Sequence, residues 1–516
     1  MRRDRAVALL ALAAAALVAA VPFLVATTFF GDDHLFLTFA RHVGNPFLPF
    51  VSDLHGGEYY RPLWMFVWWL LARVAGPGGL WSFAVAALAL HAGAAVLLFV
   101  LLRTLGRPFS VAASAGALMF LAPQNLAAAL WFSATTDLLA TVFVLGSLIA
   151  LLRRRRVLAA LAALAAFLSK ESAFVLPLLS AVVLTLRPPA GSAASEDSDA
   201  GGHSTVLEIV PQAVLLAAVC IVREVVLHGW GGSGDPRAGL AGTSLQIFAG
   251  FAQTFTGEVV LPPPLAFAVG TTVLALTVFT IARQGRGGRA GVAAWAPLAF
   301  AAAAAAPLFA AGWAVGARYY YLPSVGLCWA VAEALSGVAA GPAAWTTLAA
   351  GLLAVGGLQA SARRQEIVSY DRRVAAVRRA VAAGLGAGHH VFHVDGGIKD
   401  LDLAVKEEPV IASGAVLVLG DVPASFAIVP PQLEGAAATL VAVPPLPPSG
   451  AYRFGAVRVV GLARRGDEPD LDEALGRFPD LRFIRLRSIR GGQVIARDVT
   501  EQIKRRLDGS DASGQD

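Results

Sequence analysis

The stretch VALLALAAAALVAAVPFLVATTF, Val7–Phe29, runs straight into Phe30-Gly31-Asp32-Asp33-His34. The apolar run is 23 residues long, enough to cross a hydrocarbon core of roughly 30 Å as a helix. A signal peptide carries a shorter apolar region, about 7–15 residues, so Val7–Phe29 reads as a retained first span behind Arg2, Arg3 and Arg5. Two carboxylates directly after a membrane span are expensive to place and are usually functional. They open a loop rich in His, Tyr and Arg, with Glu58-Tyr59-Tyr60-Arg61-Pro62-Leu63 at its far end.

The rest of the chain fits a membrane setting. Of 516 residues, 57% are hydrophobic and 15% charged, and mean hydropathy is +0.65. Soluble domains are about a quarter charged. Further apolar segments fall at Leu80–Leu102, Phe109–Leu121, Leu138–Leu152, Val157–Leu168, Phe174–Leu186, Ile209–Leu227, Leu265–Ile281, Val292–Trp313, Tyr319–Leu335 and Ala343–Leu358. With the first they predict about eleven transmembrane helices. Pro62–Val74 and Leu245–Leu261 read as interfacial or re-entrant. Trp64, Trp68 and Trp69 read as an interfacial aromatic belt.

Basic residues sort by side. Arg2, Arg3, Arg5, Arg103, Arg107, Arg153–Arg156, Arg187, Arg283, Arg286 and Arg289 make thirteen in one set of loops. Arg41, Arg61, Arg73, Lys170, Arg237 and Arg318 make six in the other. The positive-inside rule puts the first set, with the N-terminus, in the cytoplasm of a plasma or inner membrane. Loop 31–78 and everything after the last span are then extracytoplasmic. The net charge of +6 follows from this asymmetry rather than from a nucleic-acid partner.

Three regions lie outside the membrane part. Pro188–Ser204 is rich in Gly, Ser and Asp and reads as a disordered cytoplasmic loop. From Ser361 the composition changes, giving a polytopic region 1–360, a soluble α/β region 361–507 and a tail 508–516. In the α/β region Arg372–Leu385 reads as a helix, followed by short apolar runs between Gly/Pro turns. His389, His390 and His393 with Asp395 read as a polar turn beside a strand, ahead of a metal site. Cys220 and Cys328 read as small buried hydrophobes.

The candidate chemistry collects on the extracytoplasmic side. Asp32 or Asp33 could serve as general base on an acceptor hydroxyl, hold a divalent ion such as Mg or Mn, or cap a helix end. His34 reads as an interfacial polar group. Arg61 suits a phosphate, because guanidinium matches phosphate oxygens bidentately; its bland role is an ion pair with Glu58. Asp137 opens a helix after Trp131-Phe132-Ser133-Ala134-Thr135-Thr136. Lys170 and Glu171 are successive helix positions, so each needs a different partner, a lipid phosphate or a loop salt bridge for Lys170. Arg318 and Tyr319 open Arg318-Tyr319-Tyr320-Tyr321-Leu322-Pro323-Ser324. Arg223 and Glu224 read as a structural ion pair.

Taken in order, the acid pair, Tyr60-Arg61-Pro62-Leu63, Asp137-Leu138-Leu139, Ser169-Lys170-Glu171 and the Arg318–Ser324 motif resemble the C-type (GT-C) membrane glycosyltransferases. The pattern is most similar to the transmembrane O-mannosyltransferases that carry tetratricopeptide repeats, and more distantly to the protein O-mannosyltransferases, over Arg2 to Leu358. That resemblance implies a sugar donor on a polyprenyl or dolichyl phosphate and a protein or glycan acceptor. It implies Asp32 or Asp33 as base, Arg61, Lys170 and Arg318 as donor-phosphate ligands, and His34, Tyr60, Asp137, Glu171 and Tyr319 as supporting groups. Two departures stand: the repeats are missing, and Thr135 occupies a position that is basic in the eukaryotic pattern. A polytopic lipid or glycan transporter is the competing reading, and a membrane scaffold a third. A transporter should place charges near the bilayer midplane and show matched halves; neither is evident here.

Overall fold

The computed structural model describes residues 29, 33, 36, 40, 44–52, 59–76, 79–187, 201–228, 239–256, 263–284, 288–311, 317–337, 350–351 and 354–369, then the strand residues between 391 and 489, and 493–507. The expected first span, apart from Phe29, lies outside the described residues, as do Asp32, His34, His42, His55, Glu58, residues 188–200, the expected helix Arg372–Leu385, His389 and His390.

The described chain is mostly helical. Helix α1 is Pro62–Ala75, α2 Trp81–Thr104, α3 Phe109–Leu121, α4 Pro123–Ala129, α5 Thr135–Leu152, α6 Arg156–Phe167, α7 Leu176–Leu184, α8 Gly201–Leu227, α9 Gly239–Gln253, α10 Pro263–Gln284, α11 Gly288–Ala311 and α12 Tyr321–Gly337. Residues 354–369 are helical as well. Among the described residues, four helices are long and apolar enough to cross a membrane, or five if the bent pair α3/α4 is one span. The expectation of eleven is not reached there, for local reasons. Helix α3 stops before Pro123, and α4 leaves at 55°, because a proline cannot continue a helix that needs its N–H. Helix α6 stops at Phe167, and Lys170 takes an extended backbone. Gly201–Ser204, placed in the loop by composition, are the first residues of α8.

Helix ends are closed by backbone geometry. Gly106, with φ 77°, ends α2 while Gly106 N–H donates to Arg103 O (3.1 Å) and Arg107 N–H to Leu102 O (2.9 Å). Helix α5 ends the same way on Arg154 at φ 58°, an uncommon residue for that conformation, with Arg155 N–H donating to Ala150 O at 2.8 Å. The positive charges of Arg153–Arg156 sit at the negative end of the α5 dipole.

The bundle is layered around the span Phe132–Leu152, which is mostly enclosed by other helices, whereas Leu207–Leu227 is mostly uncovered. Helix α5 packs on α2 and α6. Close approach needs small residues: a Cβ on Gly326 of α12 would fall 2.5 Å from Ala301 N of α11. Val210, Val214, Ile221 and Val225 of α8 are exposed, as are Leu276 and Phe279 of α10. Outward apolar rows of this kind suit a lipid neighbour. Between α5, α7 and α8, Ser180 Oγ donates to Gln212 Oε1 (2.7 Å) and Gln212 Nε2 to Ser147 Oγ (3.1 Å).

One expectation is overturned in α1. Trp64 and Trp68 are 1% and 0% exposed, so they do not form an interfacial belt. Both indole N–H groups donate to Thr135 Oγ1, at 3.1 and 3.2 Å, and Thr135 in turn donates to Phe132 O. Burial of an indole is favourable when its N–H finds an acceptor.

The C-terminal residues carry strands β1 Val391–Asp395, β2 Val416–Leu419, β3 Ser425–Val429, β4 Ala438–Val443, β5 Tyr452–Phe454, β6 Val457–Gly461, β7 Arg464–Arg465, β8 Glu468–Pro469, β9 Leu481–Ile489 and β10 Gln493–Asp498, then helix α13 Thr500–Leu507. One sheet has the order β10-β9-β1-β2, another β3-β4-β6-β5, and β7 pairs β8. In the first sheet β1 runs parallel to both β2 and β9. His393 and Asp395 lie in β1.

Candidate functional site

One end of the bundle gathers the ionisable groups. It is built from the start of α1, the turn Phe132–Ala134, the start of α5, the α6–α7 link, the end of α8 and the turn Ala317–Tyr320. The α6–α7 link holds to α1 through the backbone, Leu63 N–H donating to Leu168 O at 3.1 Å, and to α5 through Thr136 Oγ1 donating to Ser169 O at 2.8 Å.

Asp33 is 1% exposed, and its Oδ1 accepts the Ser133 N–H at 2.5 Å. That bond aims a carboxylate of the first loop at the link before α5. Asp137, the first acidic residue of α5, receives Lys170 Nζ on both oxygens, at 2.6 and 2.5 Å, with both side chains almost fully buried. Glu171 turns the other way. Its Oε2 accepts Arg61 Nε at 2.8 Å and its Oε1 accepts Arg223 NH1 at 2.6 Å. Successive residues thus find different partners, as their directions require. Lys170 therefore has a protein partner where a lipid phosphate was one expectation. Arg223 reaches across to Glu171 where sequence proximity pointed to Glu224.

Aromatic rings carry the remaining cations. Lys170 Nζ lies 4.9 Å from the Tyr319 ring centre, and Arg318 Cζ 5.1 Å from that same ring. Arg318 Cζ also sits 4.3 Å over Trp131, which has Arg363 Cζ at 5.2 Å. Arg61 stacks on Tyr59 at 4.3 Å. Such contacts attract a cation to the negative ring face. Tyr60 is buried and donates to Phe50 O at 3.1 Å, which ties the first loop to the start of α1. Tyr320, the residue after Tyr319, packs on Gly250, where any Cβ would collide with its ring.

The electrostatics follow the packing. Burial works hardest against the Lys170 ammonium, and Arg61 and Arg318 add repulsion; Asp137 opposes both, and the group is pulled down to about 8. Burial alone would raise the Glu171 carboxyl, but Arg61 and Arg223 overcome it and hold it at about 2. Burial disfavours the Arg61 charge, and Glu171 more than restores it, so its pKa rises. The link Ser169–Glu171 is thus an anchored ion network that keeps its charges at neutral pH.

The other end of the bundle has pairs of a different kind. Arg187 donates to Glu208 at 2.9 Å and to the Leu152 carbonyl at 3.0 Å, and Arg107 pairs with Glu333 at 3.0 Å. These tie loops and helix ends together. Inside the bundle, His91 is fully buried, with Nδ1 2.7 Å from Tyr321 Oη and Nε2 3.0 Å from Phe120 O. Tyr321 follows the turn that bears Arg318, so this contact fixes the start of α12 against α2.

Sequence reasoning gave no site role to Trp131, Arg363 or His91, and it paired Arg223 with Glu224 rather than with Glu171. Trp131 preceding a helix-opening Asp was the available signal; the others lie in apolar or late segments. Among the described residues no three His, Cys, Asp or Glu side chains assemble as a metal-ligand set. No family model matches this chain, and no curated protein matches it.

Proposed function

We propose that this protein is a membrane glycosyltransferase that moves a sugar from a polyprenyl-phosphate-linked donor to an acceptor hydroxyl of a protein or glycan. The observation that carries the reading is the convergence of Asp33, Asp137, Arg61, Lys170, Arg318 and Tyr319 at one end of an apolar bundle. In this reading the site faces the extracytoplasmic side, the eleven-span plan holds, and residues 361–507 form a small α/β unit on that same side.

Asp33, oriented by the Ser133 N–H, takes the proton of the acceptor hydroxyl. The acceptor oxygen bonds to the anomeric carbon as that carbon's bond to the phosphate oxygen breaks. Positive charge gathers on the sugar ring at the transition state, and the leaving phosphate carries the electron pair. Cations preset where that charge develops lower the barrier. Arg318 and Lys170 serve there, while Glu171 holds Arg61 and Arg223 in place beside them.

The test is purified protein in nanodiscs, assayed with a panel of polyprenyl-phosphate sugars. Asp33→Asn is expected to lower transfer by about 10²–10⁴, the range of a lost general base, with unchanged thermal unfolding. Full transfer by Asp33→Asn, with Asp32→Asn inactive, would move the base to its neighbour. Full activity in the double variant, or flux of intact lipid-linked sugar across liposomes without transfer, would sink the enzyme reading.

A further inference from the structure

The link between α5 and α6 is Arg153–Arg155, and Arg156 opens α6. All four arginines are exposed. Among the described residues none of them has an ion pair, a side-chain hydrogen bond or an aromatic ring beneath its guanidinium. The acids Glu208 and Glu333, which reach this end of the bundle, are taken by Arg187 at 2.9 Å and Arg107 at 3.0 Å. The donors of the four arginines are therefore open.

Local structure does not ask for arginine at these positions. Helix α5 ends in a turn where Arg155 N–H donates to Ala150 O at 2.8 Å and Arg154 N–H to Leu151 O at 2.9 Å. Arg154 stands there at φ 58°, in a position that glycine usually fills. Helix α2 closes with the same turn and has Gly106 in that place. Arg155 is the N-cap of α6 and makes no side-chain cap, where Ser, Thr, Asp or Asn is favoured. Arg156 puts a cation at the positive end of the α6 dipole. A bias of positive charge toward one side of a membrane asks for cations in the link; it does not ask for cations in these unfavourable places.

Helix α6 has two faces. Ala159, Ala163 and Ala166 are buried, and small residues there let α6 lie close against α5. Val157, Leu158 and Leu161 are each more than half exposed; at spacings of three and four they make one outward row. The span Phe132–Leu152 ends immediately before Arg153. In a bilayer the guanidinium groups then lie at headgroup depth and the apolar row at the depth of the acyl chains.

We propose that Arg153–Arg156 are the headgroup site of an anionic phospholipid whose acyl chain lies along Val157, Leu158 and Leu161. Guanidinium groups match phosphate oxygens bidentately, and the row supplies the apolar half of the same ligand. The site lies at the bundle end opposite Asp33 and Lys170, and it does not depend on the sugar-transfer reading.

The experiment uses the full chain in detergent, with phosphatidylglycerol and phosphatidylcholine supplied in equal amounts. Native mass spectrometry reads the retained lipid, and thermal unfolding is followed with each lipid alone. Phosphatidylglycerol is expected to be retained over phosphatidylcholine, with a preference that shrinks as salt is raised. Each arginine replaced by Gln should cut that preference about fivefold, the worth of one cation at an anionic surface. Replacing all four by Lys should keep part of it, because the charge stays and the bidentate geometry goes. Val157→Ser with Leu161→Ser should weaken both lipids alike. Arg154→Gly separates binding from folding: it should raise the unfolding temperature without lipid, by relieving the left-handed backbone, and still lower the phosphatidylglycerol preference. A lower unfolding temperature in Arg154→Gly would show that contacts within the protein hold this arginine, against the proposal. Equal retention of the two lipids, or a preference that survives loss of all four arginines, would overturn it. Stabilisation by inorganic phosphate as large as that by phosphatidylglycerol would assign the arginines to a soluble anion and overturn the lipid. A preference that appears only in the variant Glu196→Gln, Asp197→Asn, Asp199→Asn would assign them to that acidic stretch of the chain, and the lipid site would fall.

Discussion

Breaking the Lys170–Asp137 pair should destabilise the protein in a way that depends on pH. The two side chains are 6% and 4% exposed and meet through two contacts of 2.5–2.6 Å. Removing one member of a buried pair leaves an uncompensated charge and costs about 3–5 kcal/mol. Asp137→Asn keeps the shape and removes only the carboxylate charge, so Lys170 must stay buried as an ammonium or lose its proton. Lys170 already sits at about 8 with Asp137 in place; without that attraction it falls further, and deprotonation relieves the strain at about 1.4 kcal/mol per pH unit. The expected loss is therefore near 3 kcal/mol around pH 6 and shrinks toward zero by about pH 9. Lys170→Met should cost at least as much at pH 9 as at pH 6, because Asp137 has no such escape and the variant lacks the wild type's gain above pH 8. Asp137→Leu with Lys170→Met should recover most of the loss, since an apolar pair of similar volume carries no desolvation penalty. In the wild type the folded-state pKa lies below the ordinary lysine value, so the folded state binds fewer protons between pH 8 and 10.5 and stability climbs with pH in that window. Reversible SDS unfolding followed by tryptophan fluorescence, in a double-variant cycle at pH 6 and pH 9, reads all of this. Additive single losses, or an Asp137→Asn loss equal at both pH values, would refute the argument.

Other outcomes follow from the same geometry. Glu171 is held at about 2 against 4.5 for an ordinary glutamate, so its contribution is present above pH 4.5 and fades as pH falls toward 2; Glu171→Gln should flatten that acid limb in an unfolding titration. Thr135→Val removes the acceptor shared by Trp64 and Trp68 and should cost about 2–4 kcal/mol, two buried N–H groups losing their partner. Near-UV circular dichroism should report the indole rearrangement, and an unchanged spectrum with unchanged stability would contradict the burial account.

The legible part of the site was its one-sidedness. Arg61, Asp137, Lys170, Glu171 and Arg318 each stand at the edge of an apolar run, and a charge there belongs at a helix end. The expectation that the five share one bundle end came from reading the apolar segments as alternating spans, and the structure brings them to one end. Their pairings were not legible. Asp33 meets Ser133 across 100 residues and Arg61 meets Glu171 across 110. Arg223 finds Glu171 across 52 residues although Glu224 is adjacent. Adjacent helix positions point apart, so nearness in sequence was the wrong guide.

Sequence alone determined that residues 1–360 are rich in long apolar segments with most of their ionisable groups at the segment ends, the placement that hydrocarbon favours. It did not determine which face of each helix turns inward. A helix that is apolar all round carries no periodic signal for that choice, so Trp64 and Trp68 read as a surface belt. Packing decided it: the indoles turned inward because Thr135 offered an acceptor there. The same close approach of α1, α5, the α6–α7 link and the turn before α12 put Asp33 against Ser133 and Lys170 against Asp137. It also set three cations on the faces of two aromatic rings.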